Sequence, residues 1–191
     1  MWGYFIGYLR IFLNIPGRYY LCSLLIGLAA GTAVWVYERY AGLAAIAGDA
    51  GFPPVSCRLI LAWGLLAAWL FFTLADTVFC REPGTSRSMQ LRLFWSYFSG
   101  IPDLRAVNLL NIFLLMPAGF LLPVVGVRKF WKAALSGFLW SLLIESLQYA
   151  TRRGLFEADD LFHNTLGACL GYLIFRLAVR LWKRFRRLQR N

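Results

Sequence analysis

The stretch from Asn108 to Gly171 decides how this chain is read: NLLNIFLLMPAGFLLP over 108–123, SLLIESLQ over 141–148 and DDLFHNTLGACLG over 159–171. Each segment is an apolar run interrupted near one end by amides, carboxylates or a histidine. Such a group inside a run suited to lipid costs free energy unless it finds a partner. Asn108, Asn111, Glu145, Gln148, Asp159, Asp160, His163 and Asn164 are therefore the residues around which a functional site is expected.

Composition sets the environment of those runs. The 191 residues are 60% hydrophobic and 17% aromatic, with a mean hydropathy of +0.59, well outside the range of a soluble domain. The sequence is that of a membrane protein. Its net charge of +11 comes from 20 Lys and Arg against 9 Asp and Glu. These cations flank the apolar runs, which points to anionic lipid and the positive-inside rule and sets nucleic acid aside as a partner. Cys22, Cys57, Cys80 and Cys169 lie far apart with no C-x-x-C spacing, so neither a disulfide framework nor a metal cluster is expected. The first long run ends in bulky Tyr37-Glu38-Arg39-Tyr40, which does not read as a signal cleavage site.

The expected fold is all-α: a polytopic integral membrane bundle of about five transmembrane helices plus an N-terminal interfacial helix. Residues 1–18 form the interfacial segment, broken at Pro16-Gly17, and 19–58 an extra span with its loop. The transmembrane core is 59–182, and 183–191 is a basic cytoplasmic tail. The spans fall at Tyr19–Tyr37, Leu59–Phe79, Leu104–Val125, Phe130–Tyr149 and Leu161–Trp182. Pro117 is tolerated inside the third. Gly27 with Gly31, and Gly167 with Gly171, have the small-xxx-small spacing of close helix contacts. The aromatic group Leu93–Phe98 suits the headgroup region, and Trp131, Trp140 and Trp182 read as belt or lipid-facing residues.

Placing the C-terminus inside puts twelve Lys and Arg on the cytoplasmic side against eight outside, which favours an outside N-terminus. Asn108 and Asn111 then lie within the first two turns of the third span. Glu145 and Gln148, three apart on one face, lie in the last turns of the fourth. Asp160, His163 and Asn164 open the fifth, with Asp76 and Arg81 at the end of the second. These groups are expected to converge in a half-buried polar cup at the outer leaflet.

Three uses fit such a cup. Glu145 and Asp160 would serve as catalytic base and acid, or hold a divalent cation. Alternatively Arg81, Asn108, Asn111, Gln148, Arg153, Asp159 and Asn164 would bind a headgroup or another amphiphile without chemistry, Arg152 adding attraction for an anion. Or the same residues would only tie helices together, Glu145 to Arg81, with Asp159 or Asp160 as a helix N-cap. His163, alone among potential ligands, reads as a packed or hydrogen-bonded residue, and no metal site or cofactor is assigned.

The residues just quoted resemble the VanZ-like family, named for a teicoplanin-resistance accessory protein of bacteria. The resemblance covers about Leu59 to Tyr172. It rests on the asparagines followed by Pro117-x-Gly119, on Ile144-Glu145-x-x-Gln148, and on Asp159-Asp160-x-x-x-Asn164-Thr165-x-Gly167. One departure is Glu157, where many members have Asp. The resemblance implies an all-helical protein of the bacterial cell membrane that lowers sensitivity to teicoplanin-like lipoglycopeptides. Its shared polar residues map onto Asn108, Asn111, Glu145, Gln148, Asp160 and Asn164. The partners expected are membrane lipids and a lipoglycopeptide or lipid-linked peptidoglycan precursor. The alternatives are an intramembrane hydrolase or transferase acting on a phospholipid or prenyl-phosphate headgroup, and a structural assembly partner.

Overall fold

A computed structural model describes residues 16–46, 57–85 and 87–189. The expected interfacial segment lies outside the described residues but for its last three. Helix α1 covers Gly17–Ile46, running past the expected end of the first span at Tyr37. Helix α2, Cys57–Leu74, continues into a π-helical turn at Ala75–Phe79. A short strand β1 at Met89–Gln90 and a single turn α3 at Trp95–Phe98 follow. Then come α4 at Pro102–Leu121, α5 at Phe130–Thr151, strand β2 at Phe156–Glu157 and α6 at Ala158–Leu188. The fold is all-α.

Among the described residues, four helices are long and apolar enough to cross a membrane: those containing Tyr19–Tyr37, Arg58–Phe79, Leu104–Leu121 and Ala158–Leu188. Helix α5, expected as a fifth span, has 22 residues, about 33 Å at ~1.5 Å per residue. It is not among those four, and Lys132, Ser136, Ser141, Glu145 and Gln148 dilute its apolar character.

Glycines set how closely the helices approach. A Cβ on Gly167 would lie 2.0 Å from the Ile112 carbonyl oxygen, one on Gly171 2.0 Å from that of Met116, and one on Gly119 2.0 Å from that of Ala168. Helices α4 and α6 therefore run side by side in backbone contact, both leaving the same end of the bundle. Helix α5 returns antiparallel and also packs on α6, with Gly137 against Ala168. Helices α1 and α2 form an antiparallel pair in which Gly27 meets Gly64 and Gly31 meets Ile60, so both expected small-xxx-small contacts occur within the chain.

Two indoles fasten α2 to the rest. Trp69 Nε1 donates to the Leu114 carbonyl at 2.8 Å, near Pro117, and Trp140 Nε1 donates to Thr73 Oγ1 at 3.0 Å. Trp140 is thus an interhelical tie, a correction to its reading as a belt residue. A belt or lipid-facing role still suits Trp131 and Trp182, which are well exposed. The interior is polar to an unusual degree: among the described residues, seven of the ten largest fully buried side chains, His163, Gln148, Glu145, Asn164, Thr73, Asp159 and Ser141, are polar. Leucines and phenylalanines meanwhile cover the outside of the helices, the inverse of a water-soluble domain and the pattern a lipid solvent selects.

Candidate polar binding site

The polar side chains gather at one end of the bundle, where α2 and α5 finish and α4 and α6 begin. They divide into two groups with different roles.

The first group fastens the connections to the helices. Asp159, 1% exposed, accepts hydrogen bonds from the Phe94 N–H and from both the N–H and hydroxyl of Ser96. This holds Phe94 in a left-handed conformation at the start of α3. Asn108 Nδ2 donates to the same Ser96 hydroxyl at 2.8 Å. Tyr97 O–H meets His163 Nε2 at 2.8 Å, and His163 Nδ1 faces the Asp159 carbonyl at 2.6 Å. A carbonyl only accepts, so Nδ1 carries the imidazole proton and Nε2 accepts from Tyr97. The aromatic segment expected to lie among headgroups thereby folds back onto the bundle, while Phe98 stays 79% exposed. Gln148 Nε2 donates to the Thr77 carbonyl at 3.1 Å, and Arg153 Nη1 to that of Phe79 at 2.8 Å. These two bonds satisfy carbonyls of the π-helical turn. The side chains of Asp159, Asn108, Gln148 and Arg153, expected as ligand contacts, are thus engaged with the protein itself.

The second group, residues expected to line a cup, is incompletely paired. Glu145, 1% exposed, accepts from the Glu157 N–H at 2.9 Å through Oε2, while its Oε1 is buried without a hydrogen-bond partner. Asn164, 2% exposed, donates through Nδ2 to Ser141 Oγ at 3.0 Å, and its Oδ1 is likewise buried and unpartnered. Asn111 Nδ2 donates to Asp160 Oδ1 at 2.7 Å, and the Ser141 hydroxyl turns to the Asp160 carbonyl at 3.4 Å. Asp160 and Glu145 are close enough for their charges to interact. The exposed guanidinium of Arg81 exerts its positive charge on Asp76, Glu145, Glu157 and Asp160. Its Nη1 lies beside Gly154, where a Cβ would come within 3.1 Å of it and 2.9 Å of Gln148 Oε1. Glu157, just outside the spans, sits on the two-residue parallel pairing Met89↔Phe156 and Gln90↔Glu157. Burial, reinforced by the charge of Asp159, pushes its carboxyl above the ordinary 4.5, and Arg81 opposes the shift.

Leaving a buried acceptor unpaired costs on the order of 1–3 kcal/mol. The two such acceptors here, Glu145 Oε1 and Asn164 Oδ1, lie on adjacent helices, α5 and α6. Among the described residues no group of three His, Cys, Asp or Glu could hold a metal ion.

A family model described as VanZ/LLP1 matches residues 59–180. The chain belongs to the VanZ/LLP1 family. The matched segment runs from α2 into α6 and contains every residue of both polar groups. No curated protein and no solved structure matches the chain. As a VanZ/LLP1 protein with four spanning-length apolar helices, it is a membrane protein. Within the VanZ/LLP1 segment, the residues that the sequence did not single out for the site are Ser96, Ser141 and Tyr97. Ser141 carried a faint signal as a hydroxyl in an apolar run. Ser96 and Tyr97 carried none, because their partners are 63 and 66 residues away.

Proposed function

We propose that this VanZ/LLP1 protein binds an amphiphile in the cup and lowers the sensitivity of a bacterial cell to glycopeptides. The amphiphile is a lipoglycopeptide such as teicoplanin or a lipid-linked wall precursor. The observation that carries the reading is the pair of buried, unpartnered acceptors, Glu145 Oε1 and Asn164 Oδ1. Hydroxyl or amide hydrogens of the ligand would satisfy them, and Arg81 would receive its carboxylate or phosphate. Asn111 and Asp160 would line the approach. In this reading the cup faces outside, with the N-terminus outside and the basic tail cytoplasmic. Glu145→Gln and Asn164→Ala, matched for membrane abundance, are expected to abolish protection against teicoplanin. Normal protection by both variants would remove the proposal.

A second reading is favoured by the interacting pair Glu145 and Asp160. Two neighbouring carboxylates in a low-dielectric site divide naturally into proton donor and acceptor, as a hydrolase or transferase of phosphorylated lipid headgroups requires. Turnover of labelled lipid precursors by the purified protein, lost in Glu145→Gln, would establish it. No turnover, with and without divalent cation, leaves the binder.

A further inference from the structure

The end of the bundle opposite the cup carries a differently built site. A groove of about 560 Å³ lies between the α4–α5 connection and the outer half of α6. Arg128, Arg176 and Arg180 border it, and its apolar wall includes Leu173 and Leu177. Arg128 is held in place: the Tyr172 hydroxyl donates to its carbonyl at 2.6 Å, and the Tyr172 ring, 4% exposed, meets Phe130 edge-on at 5.9 Å. Arg176 and Arg180 are one helical turn apart, as are Leu173 and Leu177, so each pair shares a side of α6.

The depth of the groove suits a lipid. From Ala158, where α6 begins, to Arg176 the helix rises about 27 Å at ~1.5 Å per residue, close to the ~30 Å of the hydrocarbon layer. Arg176 therefore lies at about headgroup depth, with Leu173 about a turn towards the hydrocarbon and Leu177 between the two arginines of α6. The groove's own segments supply no counter-charge, because neither 104–144 nor 161–191 contains an Asp or Glu. Three cations with no carboxylate in their own segments call for an anion, and planar guanidinium forks match a phosphate.

We propose that this groove binds an anionic phospholipid, its phosphate held by Arg128, Arg176 and Arg180 and an acyl chain laid against Leu173 and Leu177. A zwitterionic lipid brings its own cation among the arginines and binds more weakly. The site is separate from the cup and does not depend on its proposed ligand.

Native mass spectrometry of the full chain tests it, with phosphatidylglycerol and phosphatidylcholine of matched acyl chains as probes. Phosphatidylglycerol is expected to bind more tightly. The variant R128Q/R176Q/R180Q is expected to lose that binding by about fivefold for each guanidinium removed. The variant R184Q/R186Q/R187Q removes the same charge from the exposed tail and is expected to retain it. Equal binding of the two lipids, wild-type affinity in the groove variant, or equal loss in the tail variant would overturn the proposal. If the triple groove variant does not stay monodisperse, R128Q alone, on an exposed loop, decides the matter through its own fivefold loss.

Discussion

At Asp159 both carboxylate oxygens are taken by donors from Phe94 and Ser96, whereas Glu145, equally buried, keeps Oε1 without one. The two carboxylates therefore respond differently to the same isosteric change. Asp159→Asn presents an amide N–H₂ to backbone donors and leaves at least one of them unpaired, at about 1–3 kcal/mol. Its detergent-solubilised form is expected to melt below wild type, whereas Glu145→Gln, which changes an oxygen that no protein donor uses, is expected to melt within error of wild type. Equal destabilisation in a thermal-shift series would contradict the division into fasteners and cup. The sequence shows Asp159 and Asp160 as adjacent and chemically identical. What separates them is a loop some sixty residues upstream, whose approach no local pattern encodes. Glu145, Asn111 and Asn164 were legible because each breaks an apolar run. That Glu145 meets the Glu157 N–H instead of Arg81 was not, because it depends on the turn between α5 and β2.

At the scale of helices, the glycines of α4 and α6 govern assembly. Gly167→Ala would drive a methyl into the Ile112 carbonyl, which is backbone and cannot rotate aside. Helices held at such a distance must part along their length, at about 1–3 kcal/mol or more. Gly17→Ala meets nothing within 4 Å and serves as the control. Size-exclusion profiles are expected to show Gly167→Ala depleted in monodisperse protein and Gly17→Ala unchanged; the reverse would contradict the packing of α4 on α6. The spacing of Gly167 and Gly171 announced a close contact, and the apolar runs announced the spans, because helix periodicity and lipid solvation act locally. The partner helix was not announced. Nor were the two-residue strand pair and the turn α3, since both are stabilised by contacts distant in sequence.

Across the whole molecule, charge is distributed lengthwise. Glu145, Glu157, Asp159 and Asp160 lie at the cup end, and the cations from Arg176 to Arg187 lie towards the other. By the positive-inside rule, the proposed topology puts the basic end in the cytoplasm. A phosphatase joined after Asn191, active only outside the cytoplasm, is expected to stay inactive, and one inserted at the exposed Arg87 is expected to be active. Activities reversed between the two would invert the topology and place the cup on the inner face. The inverted interior, with polar side chains buried and leucines outward, makes the same point about solvent. Lipid asks for an apolar exterior and leaves the protein free to concentrate polar groups where helix ends meet.

The central claim is that the unpartnered acceptors of the cup receive a ligand, and titration of the purified full chain in lipid nanodiscs with teicoplanin tests it most directly. Saturable binding is expected, weakened at least about tenfold in Glu145→Gln and in Asn164→Ala, since each buried hydrogen bond to the ligand is worth roughly 1–3 kcal/mol. Teicoplanin binding by both folded variants as tightly as by wild type would contradict it.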